Sequence, residues 1–174
     1  ERSLLSDGLD VAFVPTDVSD ADACEAFVRA ACDAGGGLEV LVNNAAVRNY
    51  ARITEASPQS WERMLGINLM GYANCARCAI PRMAARQGAN IVNIASIRSI
   101  IAGSKTVQYD TIKAAILGMT RAMARDHAQD GIRVTAVGPG PIFTDFHAGR
   151  ATSLGQTHEQ YIEKFGADTL LKRP

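Results

Sequence analysis

The sequence predicts an α/β domain built on a doubly wound parallel sheet. Three observations point there. Short apolar runs rich in β-branched residues alternate with longer helical patterns. The runs are apolar almost throughout, as strands covered on both faces are. Each run also delivers small or hydrogen-bonding residues to its carboxyl end, where open parallel sheets hold ligands.

The elements follow in order. Val11-Ala12-Phe13-Val14 is the first expected strand, followed by Thr16-Asp17-Val18. Ser19 before Asp20-Ala21-Asp22 marks a helix start, and Gly35-Gly36-Gly37 its stop. Leu38-Glu39-Val40-Leu41-Val42 is the second strand, delivering Asn43-Asn44-Ala45-Ala46. Ser57-Pro58 combines an N-cap with proline at the first helical position, and the helix is expected to reach about Arg86, bent near Pro81. The third strand, Ile91-Val92-Asn93-Ile94, ends at Ala95-Ser96. A helix from near Tyr109 to near Asp130-Gly131 precedes the fourth strand, residues 132–137. Gly138-Pro139-Gly140-Pro141 and Thr144-Asp145 follow it. Residues 150–157 are small and polar and read as a mobile loop, and a weaker helical pattern covers residues 158–165.

Composition bounds the function. A chain of 174 residues, 47% hydrophobic and 21% charged, fits a single globular domain over residues 1–174. Lys+Arg and Asp+Glu number 18 each and are interspersed, which argues against phosphate-driven nucleic-acid binding. No apolar run has membrane-spanning length, and no signal-peptide pattern opens the chain. The chain starts at Glu1 and ends at Pro174 after Lys172-Arg173, so both ends are expected to be cuts through something larger. Four cysteines are too few for a disulfide framework. Cys75 and Cys78 have redox or zinc spacing, but a single pair inside a helix reads as packing, and no metal site is expected. His127, His147 and His158 are scattered over separate elements. Trp61 and Met64 read as core or interface residues.

Tyr109 and Lys113 lie four residues apart, on one helix face. Alone, the pair also fits a half-buried ring beside a solvated charge. The ordered set is more specific: Asp17-Val18, Asn43-Asn44-Ala45, Asn68, Ser96, Tyr109 with Lys113, and Pro139-Gly140. In this set the sequence resembles the short-chain dehydrogenase/reductase family over nearly its whole length.

The resemblance implies a Rossmann-type fold and hydride transfer between NAD or NADP and a small alcohol or carbonyl substrate. It implies a cytoplasmic protein with no nucleic-acid or membrane partner, forming a homo-dimer or homo-tetramer. The catalytic residues it implies are Asn68, Ser96, Tyr109 and Lys113. Tyr109 is the general acid/base, Ser96 holds the substrate oxygen, and Asn68 anchors a proton-relay water leading to Lys113. A phenol ionises near pH 10, and an ammonium about 4 Å away at an effective dielectric of 20 supplies roughly 4 kcal/mol toward lowering that value. The implied cofactor-binding residues are Asp17 and Val18 at the adenine, with Asn43, Ala45, Tyr109, Lys113, Pro139, Gly140, Ile142 and Thr144. His147 and His158 flank the segment that forms a substrate lid in the family.

Several positions depart from the pattern. Ala46 stands where glycine is common, Thr111-Ile112 replaces a smaller pair, and Thr135 replaces a frequent asparagine. No G-x-G-x-x-G occurs. By comparison with the family, the glycine turn and first strands are expected before Glu1, residues 1–8 are expected to be a helix tail, and a last helix and strand are expected after Pro174. The alternative is a catalytically silent chain of this fold serving as an assembly or interaction subunit. On the Tyr109 helix, Ile112, Ile116, Met119 and Met123 form one apolar face. Ala115, Gly118 and Ala122 form a smaller one, expected at a subunit interface.

Overall fold

The computed structural model describes residues 11–84, 88–167, 169, 171 and 172. The chain divides into two units, one ending at Val137 and one starting at Gly138. In the first, the Asp20 carboxylate accepts from the Asp22 and Ala23 N–H groups and opens helix α1, Ala21–Gly35. Gly36, at φ 67°, closes it in the left-handed conformation that glycine adopts without strain. Strand β1 is Val40–Asn43. Ser57 accepts from the Ser60 N–H and, with Pro58, starts α2, Pro58–Leu65. A π-helical turn, Gly66–Met70, leads directly into α3, Gly71–Met83. Strand β2 is Asn90–Ile94, followed by a 3-10 turn, Ile97–Ser99. Helix α4, Val107–Asp126, and strand β3, Arg133–Val137, complete the unit.

The sheet is parallel, in the order β1-β2-β3, with Leu41 beside Ile91 and Ile91 beside Val134. Those three side chains share one face and pack with Cys24 and Val28 of α1 and Cys75, Ala76, Ala79 and Met83 of α3. Large apolar side chains buried in this way contribute roughly 1.5–3 kcal/mol each. Tyr72, Ala95 and Ile116 form a smaller cluster that brings in α4. On the opposite sheet face, Val40 and Val42 stand half exposed. The cysteines are packing residues as expected: Cys24, Cys75 and Cys78 are buried, and burial pushes the Cys75 thiol up to about 12.

Four expectations need correction. Residues 11–14 are not a strand, because no described segment offers them a ladder partner, and Phe13 is exposed. The long helix widens into a π turn at Gly66–Met70 and runs on without a gap to Met83, with Pro81 inside it. Helix α4 stops at Asp126, and residues 127–131 form turns closed by Gly131 at φ 72°. In the second unit, α5, Asp145–Ser153, occupies half of the expected loop. Thr157 and Gln160 then cap each other to start α6, His158–Gly166, where the helical pattern predicts it. The expected helix tail over residues 1–8 and the helix end at Arg86 lie outside the described residues.

Candidate functional site

The polar residues of the first unit separate into ties and a cluster around the buried Lys113. Asn43 donates to the Asn93 carbonyl at 2.9 Å, Asn93 donates to the Thr120 hydroxyl at 3.0 Å, and Thr120 donates to the Ile116 carbonyl at 2.7 Å. This buried chain joins β1, β2 and α4, so the Asn43 amide is engaged in holding the sheet. Asn68 sits on the π turn, fully buried, and its amide both accepts from the Val47 N–H and donates to the Val47 carbonyl at 2.8 Å. Its side chain therefore clamps the loop after β1. A π turn inside a helix frequently marks a functional position, and here it aims Asn68 at that loop.

The cluster forms where β2 ends. The Lys113 ammonium, only 2% exposed, donates to the Ile94 carbonyl, which also accepts from the Tyr72 hydroxyl at 3.1 Å. Burial lowers the Lys113 pKa to about 8, so the group stays largely charged at neutral pH. Its Nζ lies 5.7 Å from the Tyr109 ring centroid and 5.5 Å from that of Tyr72. Burial also raises the Tyr72 pKa, which keeps that hydroxyl protonated as a donor. Tyr109 and Lys113 thus share a face, as their spacing predicts, but Lys113 is no solvated charge.

Ser96 is half buried one residue beyond Ala95. Its hydroxyl accepts from the Arg98 N–H at 3.1 Å, while Ser99 donates to the Lys113 carbonyl at 2.8 Å. The 3-10 turn therefore ties the end of β2 to the helix carrying Tyr109 and Lys113.

Val18, Asn43 and Ala45 come together along a cavity of about 180 Å³, also lined by Val14, Thr16, Asn44 and Tyr72. Apolar walls with amides at the edge suit a flat heteroaromatic ring. Asp17 stands outside that lining, exposed, its pKa lowered by hydrogen bonds from the Ser19 hydroxyl and N–H. Gly71 is required here: a Cβ would come within 2.6 Å of the Val18 side chain.

The remaining expected residues belong to the second unit. Pro139, Gly140 and Ile142 precede α5, Ile142 is exposed, and Thr144 is the N-cap with its hydroxyl 3.2 Å from His147 Nδ1. His147 packs tilted against Phe165 with ring centroids 4.5 Å apart, and Phe143 meets His158 edge-on at 5.7 Å.

Sequence reasoning missed Tyr72 and Arg48. Nothing in the local sequence separates Tyr72 from a core aromatic. Arg48 had a usable signal: it is the first cation in the loop that leaves β1 at the carboxyl edge of the sheet. Its guanidinium lies 4.6 Å from the Tyr109 ring centroid.

A family model for short chain dehydrogenases matches residues 2–154. An uncharacterized oxidoreductase of Thermotoga maritima is 38% identical over 83% of this chain and 56% of its own length. A 3-oxoacyl-acyl-carrier-protein reductase of Staphylococcus aureus is 31% identical over 93% of this chain and 67% of its own length. Among solved structures, L-sorbose reductase from Gluconobacter frateurii, complexed with NADPH and L-sorbose, superposes with a TM-score of 0.92 at 29% identity. That match covers 99% of this chain and 68% of the reductase, and it carries the doubly wound, Rossmann-type α/β fold. The chain spans between about half and two thirds of the length of these relatives.

Proposed function

The chain belongs to the short chain dehydrogenase family, and on that premise we propose that it serves an NAD(P)-dependent oxidoreductase acting on an alcohol or carbonyl. One observation carries the reading: a nearly fully buried ammonium, Lys113, beside the half-buried ring of Tyr109 at the carboxyl edge of a parallel sheet. Burying a cation is costly, and sites that perturb a lysine this far are commonly functional.

The dinucleotide fits in part. The cavity beside Val18, Asn43 and Ala45 suits the adenine end, with Asp17 at its margin, and Lys113 and Tyr109 suit the nicotinamide ribose. Pro139, Gly140, Ile142 and Thr144 are proposed for the nicotinamide side. When bound, the cofactor supplies the hydride to a carbonyl or accepts it from an alcohol. In the reductive direction Tyr109 gives its hydroxyl proton to the carbonyl oxygen, and in the oxidative direction it takes that proton back. Lys113 opposes the negative charge left on Tyr109 by proton loss. Ser96 already accepts from the Arg98 N–H, so its own proton is available to the substrate oxygen. Asn68 holds the loop after β1; a relay through this residue would run through its backbone.

We also propose association of identical chains through the smaller face of α4, as a dimer or tetramer. Ala115 and Ala122 are exposed there, and a Cβ on Gly118 would meet nothing within 4 Å.

The test is turnover with NADH and NADPH against sugars, steroids and 3-oxoacyl compounds, for wild type and Tyr109→Phe. The reading expects activity in the wild type and its collapse in the variant. A wild type inert to the whole panel with both cofactors defeats it.

A further inference from the structure

We propose that Arg48 sets the substrate specificity of this site, and that the substrate is a small hydroxy- or oxo-acid held by its carboxylate. The inference rests on the oxidoreductase reading above and adds the substrate class to it.

Three observations carry it. Arg48 Cζ lies 4.6 Å from the Tyr109 ring centroid and 4.7 Å from that of Tyr50, so the guanidinium is held against the ring of the proton-transferring residue. Its Nε is buried without a hydrogen-bond partner, and among the described residues no carboxylate pairs with the guanidinium. An unpaired buried donor costs about 1–3 kcal/mol, and more when charged. Such a cost calls for an explanation, and a ligand that brings the missing acceptor is one. Finally, the side chain stands on a fixed loop. Val47 is clamped by Asn68, Asn49 donates to Gln108 at 3.1 Å, and the Ala51 N–H donates to the Lys105 carbonyl at 2.8 Å. The donor is therefore placed before the ligand arrives, which lowers the ordering cost of binding.

The chemistry selects the ligand. A guanidinium fork matches a carboxylate in shape and charge. The other cation of the cluster, Lys113, already donates to the Ile94 carbonyl. A single free guanidinium balances a monoanion and leaves a phosphate dianion uncompensated. Because the guanidinium rests on the Tyr109 ring, the carboxylate and the reacting oxygen must lie within a few carbon atoms of one another. Reduction then converts the oxo-acid, NAD(P)H and one proton to the hydroxy-acid and NAD(P)⁺, with the carboxylate unchanged.

Two readouts test this. In the protein with NAD(P)H, acetoacetate is compared with methyl acetoacetate for wild type, Arg48→Leu and Arg48→Lys. Loss of a charge-assisted hydrogen bond in Arg48→Leu is expected to lower kcat/KM for the acid about 10–100-fold more than for the ester, and the preference is expected to be partly rescued in Arg48→Lys. Independently of turnover, the Arg48 Nε–H resonance of ¹⁵N-labelled wild type is followed with butyrate and with butyramide, and only butyrate is expected to shift it. Equal losses for acid and ester overturn the proposal, since Arg48 would then act on Tyr109 alone. So does a raised KM for NAD(P)H in place of the acid, which would assign the guanidinium to the cofactor diphosphate. A resonance indifferent to butyrate overturns it as well. A wild type that turns over other members of the panel but reduces neither compound overturns the assignment, whereas one inert to the whole panel that still shows the butyrate shift counts against the oxidoreductase reading while supporting the Arg48 anion site.

Discussion

The amide chain Asn43–Asn93–Thr120 and the cluster Arg48–Tyr109–Lys113 share helix α4 and the carboxyl end of the sheet, yet they are built on opposite rules. In the chain, each of the three side chains donates to a neighbour's acceptor and no charge is present. In the cluster, one ammonium is buried beside two phenols, and a guanidinium rests on a ring with its Nε unpaired. Satisfied buried polar groups rigidify a core. Unsatisfied ones raise its energy and persist where a ligand or a reaction supplies what is missing. On the proposed function, the difference separates residues that build the sheet from those that act at its edge.

The largest effect expected within this contrast is on chemistry. Tyr109→Phe keeps the ring against Arg48 and removes the exchangeable proton. Turnover is expected to fall about 10²–10⁴-fold, with a Tm close to wild type. Activity within a few-fold of wild type would move Tyr109 to the building side of the contrast.

Asn93→Leu attacks the other region. It leaves the Asn43 amide with only its longer bond, 3.5 Å to the Tyr72 carbonyl, and deprives the Thr120 hydroxyl of its donor. The expected destabilisation is about 2–4 kcal/mol, read by urea unfolding. A loss below about 0.5 kcal/mol would show that the chain is not a satisfied unit.

The two regions also differ in how far the sequence discloses them. Strand–helix alternation, the Ser57-Pro58 start, the Gly35-Gly36-Gly37 stop and the shared face of Tyr109 and Lys113 are local properties, legible from spacing and caps. The Asn43–Asn93 bond joins residues fifty positions apart, and no local pattern announces it; the resemblance pointed to Asn43 for a different role. The strand expected at residues 11–14 failed for the same reason, because β-branched composition describes a strand's faces and not the neighbour its ladder requires. The π turn at Gly66–Met70 was invisible beside the obvious breaker, Pro81. Arg48 was overlooked because the significance of a cation beside a turn depends on the ring it meets.

Lys113 permits a finer division within the cluster through pH. Burial lowers its pKa from 10.5 to about 8 in the folded protein. Below about pH 8 both folded and unfolded chains are charged, and the folded state carries the full burial cost. Between about 8 and 10.5 the unfolded chain holds the proton that the folded chain has lost, so this group makes stability rise with pH, by about 1 kcal/mol per unit. The difference in unfolding free energy between wild type and Lys113→Met is expected to show that slope. A flat difference would mean that the ammonium is solvated.

The smallest expected effect on stability belongs to the side of α4 that faces neither region. Ile112, Lys113, Ile116 and Thr120 are buried on one side of this helix, while Ala115 and Ala122 are exposed and Gly118 has open space around it. A Cβ added at Gly118 meets nothing within 4 Å, and helix propensity favours tryptophan over glycine by a few tenths of a kcal/mol. Gly118→Trp is therefore expected to leave unfolding within about 0.5 kcal/mol of wild type. If identical chains pair through this face, the same substitution intrudes on the partner, and light scattering is expected to report a smaller particle. A lowered Tm with unchanged particle mass would place Gly118 against its own chain. An unchanged mass and an unchanged Tm would leave the face solvated, and the association would have to use another surface.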